Sequence, residues 1–286
     1  MPWTDRLREV LRQKTQAFFS LEGAVLAGDD PEAIHDMRVA SRRLQEVLRL
    51  VFAEDPRLKG LTRDIRRARR VQSGVRDLDV MAQRLRGAAK GATRDAREAL
   101  RFAQQSIAVR RRRRHRKMAE ALKALDLGGL RTDLEGLMSS QTQGRSRVSG
   151  PAVPRAEVER RARAQIAGRA DAFREAVSTV RGSLKPEDLH GARVAGKRLR
   201  YILEISDELQ IGSFKRQIAR MRAIQQALGH WHDLEVLEEA VAKLFADREV
   251  FRGRLPLVRA ACDLIAAWRA QKEAHLREFL KLTETL

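Results

Sequence analysis

The sequence predicts an all-α protein made of two related helical bundles, and three observations lead there. Arg, Ala, Leu and Glu dominate the chain, and all four favour helix. Aromatic residues are only 5 % of the 286, and Val and Ile rarely alternate with polar residues over strand lengths. One basic phrase is also stated twice. "PEAIHDMRVASRRLQEVLRLVF" begins at Pro31, and "PEDLHGARVAGKRLRYILEI" begins at Pro186. The two share Pro31/Pro186, Glu32/Glu187, His35/His190, Arg38/Arg193, Val39/Val194, Arg43/Arg198 and Leu44/Leu199 in one register. Arg42 against Lys197 keeps the charge. An internal repeat of this kind fixes architecture before any other feature does.

The elements follow in order. A first helix is expected over 3–27, stopped by Gly28. Asp30 can cap the next helix, with Pro31 in its first turn, where a missing N–H costs nothing, and that helix reaches Phe52. Pro56 opens a third helix to Gln72, and "SGVRDLDV" turns into a fourth. A long helix is expected over 92–126, ended by Gly128-Gly129. Residues 139–154, "SSQTQGRSRVSGPAVP", have no apolar period and read as a linker. The second half repeats the order, with helices expected over 155–181, 187–208, 213–228, 233–247 and 256–282. The chain therefore divides into a repeat at 1–138, the linker at 139–154 and a repeat at 155–286. A second repeated phrase supports this: "SGVRDLDV" aligns with "GHWHDLEV", so Asp77 and Leu78 fall on Asp233 and Leu234.

The formal net charge is +20, a self-repulsion that points to a polyanionic partner. Nucleic acid, an anionic membrane and inorganic polyphosphate are the candidates. No run of about 18 apolar residues is present, which argues against a membrane span. The N-terminus has no apolar segment of the kind a secretory signal needs, so the cytoplasm is the expected location. The single cysteine, Cys262, sits in "AACDLIAAW" and is expected to be a buried, inert thiol.

At about 100° per residue, setting His35 to 0° puts Arg38 at about 300°, Arg42 at about 340° and Arg49 at about 320°. Ile34, Met37, Ala40, Leu44 and Leu48 gather on the opposite side. The second phrase repeats the picture, with His190, Arg193 and Lys197 opposite Leu189, Leu199 and Ile202. Arg43 and Arg198 flank the two stripes at equivalent positions. A solvated helix face usually mixes signs, whereas these stripes meet no acid until Glu46 and Glu204. Both begin with His near a helix start, where the dipole favours an anion. The following helices add Lys59 and Arg66, matched by Lys215 and Arg222. The densest run, "RRRRRHRK" at 110–117, has no repeat partner, and its charges point to all sides of a helix.

Both phrases resemble the CHAD family, the conserved histidine α-helical domain. Its pattern H-x-x-R-V-x-x-[RK]-R-L-R is met as "HDMRVASRRLQ" and "HGARVAGKRLRY", and G-x-x-R-D-L-D-V is met as "SGVRDLDV". The resemblance runs from about residue 3 to 282, with departures: Gln45 where Arg200 keeps the pattern, Ser73 where Gly229 keeps it, and His232 opposite Arg76. It implies two four-helix-type bundles about a pseudo-twofold axis, with inorganic polyphosphate bound in a basic channel between them. The residues expected to bind it are His35, Arg38, Arg42, Arg43, Lys59 and Arg66 from the first repeat, and His190, Arg193, Lys197, Arg198, Lys215 and Arg222 from the second. Association with polyphosphate granules would follow.

The residue chemistry is compatible with that ligand. Polyphosphate offers charge but no bases, so a binder needs Arg forks and Lys point charges, not stacking platforms. Single-stranded nucleic-acid binders usually carry aromatic platforms, and the basic faces here have almost none apart from Tyr201, itself expected to pack. No metal or cofactor is expected, because His35 and His190 each stand alone among arginines, and His230 and His232 do not share a helix face. His230 is expected to cap or turn. Asp77 and Asp233 are expected to cap a helix or to orient basic neighbours through ion pairs. Paired carboxylates, a P-loop and a nucleophile elbow are all absent from the sequence, so no catalysis is expected. A nucleic-acid-binding protein and a polyphosphate-processing enzyme remain the alternatives.

Overall fold

Asp30 shows how closely local chemistry sets the helix boundaries. Its carboxylate accepts the Glu32 backbone N–H at 2.9 Å, and Pro31 occupies the first helical position of the helix that carries the first phrase. The computed structural model describes residues 2–140, 153–245 and 255–286, and all of its regular structure is helical. The order is α1 (Trp3–Phe19), α2 (Glu22–Ala27), α3 (Pro31–Val51), α4 (Leu58–Val71), α5 (Ser73–Ala88), α6 (Arg94–Lys123), α7 (Leu127–Ser140), α8 (Arg155–Ser183), α9 (Pro186–Glu208), α10 (Lys215–Phe245) and α11 (Leu255–Leu282). No helix among the described residues is long and apolar enough to cross a membrane.

Several boundaries differ from the sequence expectation, each for a local reason. The first expected helix breaks at Ser20 and Leu21 into α1 and α2, and α2 ends at Gly28, whose φ of 79° suits glycine. Gly128 and Gly129 do not stop the chain; they lie in the first turn of α7. The Asp126 carboxylate accepts the Gly129 N–H at 2.8 Å, and a β-carbon on Gly129 would collide with that carboxylate. Ser139 and Ser140 of the expected linker still belong to α7, and residues 141–152 lie outside the described residues.

The second half also joins what the first half separates. Gln72 turns the chain between α4 and α5: it is fully buried, and its Nε2 donates to the Ala68 carbonyl at 3.0 Å, while Ser73 Oγ donates to the Arg70 carbonyl at 2.7 Å. These side-chain bonds compete with the helical ladder. Leu228 stands at the position of Gln72 and offers no such bond, so α10 runs on through Gly229, where two helices were expected.

Two compact units result, and they do not follow the sequence halves. The first takes 1–73, 116–172 and 197–219; the second takes 74–115, 173–196 and 220–286. The helices α6, α8, α9 and α10 each contribute residues to both. In the first unit α3 packs against α1, α2 and α4, and α7 covers α1 and α4. Phe18, Ile34, Met37, Leu44, Leu48 and Ile65 are fully buried there. Each such side chain contributes about 1.5–3 kcal/mol on burial. In the second unit the core joins α5, α6, α10 and α11 through Leu85, Leu100, Ile107, Leu237, Val241 and Trp268. Cys262 is exposed, contrary to expectation. The apolar side of α11 is set by Leu257, Ala261 and Trp268, and one residue beyond Ala261 the helix has already turned towards solvent.

Candidate functional site

In the first unit the polar side of α3 meets α4 through arginines. Arg38 Nη1 donates to the Arg69 carbonyl at 2.6 Å, near the C-terminus of α4, where the helix dipole favours a cation. Arg69 Nη1 in turn donates to Gln45 Oε1 at 2.5 Å, and Gln45 Nε2 donates to the Thr62 carbonyl at 2.6 Å. Gln45 stands where the repeated pattern has Arg, and here it serves as a buried bracket for Arg69.

The electrostatics show how many charges converge. Burial lowers the Arg69 pKa to about 10, and the neighbouring charges of Arg42, Arg38, Arg66 and Arg49 push the same way. Arg69 is still protonated at neutral pH, under strain from its neighbours. Arg49 is lowered too, first by burial, with Glu46 opposing and Arg66, Arg169 and Arg198 adding to the fall. Arginines from α3, α4, α8 and α9 therefore share one field, and Arg198 of the second phrase stands within that of Arg49 of the first.

Two buried carboxylates hold parts of this array. Glu46 lies 2.6 Å from Arg169 Nη1 and 3.6 Å from Arg49 Nη1. Glu204 accepts from Arg43 Nη2 at 3.2 Å and from Arg200 Nη1 at 2.9 Å. Arg169 also donates to the Arg198 carbonyl at 2.9 Å. Arg200 lies over the ring of Tyr201, 4.9 Å from its centroid, and Tyr201 is buried as the sequence suggested.

The second unit holds the histidines of the second repeat. His190 and His232 rings lie 5.5 Å apart, tilted by 53°. His230 packs on His275 of α11 at 4.9 Å. It lies inside α10 rather than at a cap or turn, because that helix is unbroken. Its pKa is lowered by burial, then by the charges of Arg84 and His275, with Asp233 and Glu278 opposing. Asp233 accepts from Arg84 Nη2 at 2.7 Å, an ion pair with a basic neighbour.

Of the expected site residues, His35, Arg38, Arg42, Arg43, Lys59, Arg66, Lys197, Arg198 and Lys215 fall in the first unit, and His190, Arg193 and Arg222 in the second. Arg38, Arg42, Arg66 and Arg198 enter the arginine array, and Arg43 enters the pair with Glu204. Lys59 and Lys215 are exposed at the starts of α4 and α10. Sequence reasoning passed over Arg69 and Arg169 as site residues. Arg69 was findable from its place one turn after Arg66 on α4; Arg169 lies on α8, which carries no repeated phrase. It also treated His35 as alone, whereas ligand atoms of Glu32, His35 and Asp36 lie within 4.8 Å of one another at the start of α3. The run at 110–117 is partly anchored: Arg111 Nε pairs with the buried Asp79 at 2.5 Å, Arg114 lies against Gly74, and Arg110, Arg112 and Arg113 are exposed.

The CHAD domain matches residues 9–242, most of the chain, and the protein belongs to the CHAD family. No curated protein matches it. Its structure is similar to that of the CHAD domain from the plant Ricinus communis, with a TM-score of 0.70 at 21 % identity, covering 99 % of this chain and 92 % of that one. It is also similar to PptA from Streptomyces chartreusis, with a TM-score of 0.66 at 17 % identity and 100 % of both chains covered. At these identities the likeness is one of fold.

Proposed function

We propose that the protein binds inorganic polyphosphate without processing it, the basic faces of the two repeats lining one channel. The supporting observation is the arginine array around Arg69 and Arg49, two arginines whose pKa is lowered first by burial and then by the like charges of neighbours on several helices. Gathering cations against their repulsion is costly unless an anion offsets it. A flexible chain with about one charge per phosphate and no bases suits guanidinium forks spread over several helices. Tyr201, the aromatic residue on these faces, is buried and so offers no stacking platform for a base. Membership of the CHAD family supports the same ligand. The protein would act in the cytoplasm, where polyphosphate granules form.

The test is competition between long-chain polyphosphate, RNA and duplex DNA, at equal phosphate concentration and near-physiological salt. Polyphosphate should displace both nucleic acids. Equal competition would leave binding by charge alone and favour a nucleic-acid partner. Incubation with polyphosphate and Mg²⁺ should leave chain lengths unchanged; shortened chains would mean that the protein is an enzyme.

A further inference from the structure

The outward face of α11 carries a charge pattern that the basic site does not use. Leu257, Ala261, Trp268 and Phe279 are buried on the inner side of this helix. At about 100° per residue, Arg259, Asp263, Arg269, Glu273 and Arg277 all lie within about 60° of Ala266 on the opposite side. All five are exposed, and three cations against two anions leave the face nearly neutral on a chain of net charge +20. Cys262, Ala266 and Ala270, exposed as well, run between these charges along a shallow groove. Leu255 stands at the head of the same face, 79 % exposed, and so keeps apolar surface in water.

We infer that this face docks a second copy of the chain, by antiparallel pairing of the two α11 helices with Ala266 on the twofold axis. A twofold contact has to be self-complementary, and the charges on this face are. Pairing about Ala266 sets each residue against the one equally far beyond it in the second copy. Arg259 then faces Glu273, Asp263 faces Arg269 and Cys262 faces Ala270, each pair occurring twice. Sliding one helix by a turn sets Asp263 against Glu273 and Arg259 against Arg277; sliding it the other way sets Arg259 against Arg269. A parallel pairing in register sets every charge against its own kind. Like charges held opposite oppose association, so the pattern selects one orientation and one register. Exposed ion pairs contribute little affinity of their own. Affinity comes from the seam, where Ala266 and Ala270 let the helix axes approach to about 8 Å and the stem of Arg277 covers Leu255 of the second copy. Arg269 is already half held: its Nε donates to Glu238 of its own chain at 2.6 Å, which leaves its Nη donors for Asp263 of the second copy.

The experiment is sedimentation equilibrium of the full chain over a concentration series, at near-physiological salt and with no polyanion added, so that its outcome is independent of the polyphosphate reading. The wild-type protein should pass from monomer to dimer. Arg259→Glu and Glu273→Arg should each weaken the dimer by about tenfold, since each turns two attractive pairs into repulsive ones. The double variant restores opposite charges across the contact, and its dimer constant should return to within about threefold of wild type. A monomer at every concentration overturns the inference. So does a dimer that ignores the single changes, or one that the double change does not rescue. Where a charge variant does not fold, a cross-link carries the test. Ala266→Cys in a Cys262→Ala background brings two thiols together at the axis, within disulfide reach at this helix spacing, and mild oxidation should link the dimer covalently. In the wild-type protein Cys262 faces Ala270 of the second copy and should not cross-link. A covalent dimer through Cys262, or none through position 266, contradicts the pairing.

Discussion

Arg43 Nη2 lies 3.2 Å from Glu204 Oε2, so the helix of the first phrase is tied to the helix of the second through a carboxylate that is 5 % exposed. Arg200 completes the arrangement from the other side. Removing the shared carboxylate strands two guanidiniums beside each other. Glu204→Ala should therefore destabilise the protein by about 3–5 kcal/mol, the usual cost of breaking a buried pair from one side. Urea unfolding measures this directly; a loss under about 1 kcal/mol would mean that solvent already screens the pair.

His230 makes stability depend on pH. Burial, Arg84 and His275 hold its pKa below the ordinary value of about 6.5, with Asp233 and Glu278 opposing. The folded state thus favours the neutral ring. Its contribution is intact above the unfolded pKa and declines as pH falls through about 6.5 towards the lower folded value, below which the loss is complete. The melting temperature should fall between pH 7 and pH 5, and His230→Gln should shrink that fall. An unchanged pH profile in the variant would assign the slope to other groups.

Binding should respond to pH in the opposite sense. His35 and His190 sit near the starts of α3 and α9, where an approaching phosphate would favour imidazolium. Protons should be taken up on binding, and affinity for polyphosphate should rise as pH falls from about 8 to about 6. His35→Gln combined with His190→Gln should flatten that rise while leaving most of the affinity, which the arginines supply. Calorimetry in buffers of different ionisation enthalpy would count the protons; no uptake would make these histidines structural.

Salt should weaken binding steeply. By analogy with nucleic acids, about 6–10 phosphate contacts would lose roughly three to five decades of affinity between 50 and 200 mM salt. A flat response in a salt titration would point to a small-ligand pocket in place of an extended basic face.

The helices α3 and α9 were legible because an apolar period of 3.6 and a cap written as Asp30-Pro31 are local signals. Gln72 and Leu228 show where locality ends. Both stand in the same register of a repeat, yet one breaks a helix through buried side-chain bonds and the other lets it continue. Asp126 likewise turns a glycine pair from a stop into a start. At the site, the repeat exposed Arg38, Arg42, Arg66 and Arg198. Arg169 was hidden because its role depends on α8 lying where Glu46 can reach it, a tertiary fact with no counterpart in the phrases. The division into compact units was hidden for the same reason: it is made by contacts between distant segments, whereas the repeat is a property of sequence order.

The central claim is that arginines from both repeats act on one polyphosphate chain. Arg66 and Arg198 test it well, since both are exposed, come from different repeats and lie in the field of Arg49. Long-chain polyphosphate affinity should be measured at one fixed salt concentration for Arg66→Gln, Arg198→Gln and the double variant. Each single change should weaken binding about tenfold, the low end for a hydrogen bond to a charged group, and the double change should weaken it further. Affinity equal to wild type in the double variant would contradict the account.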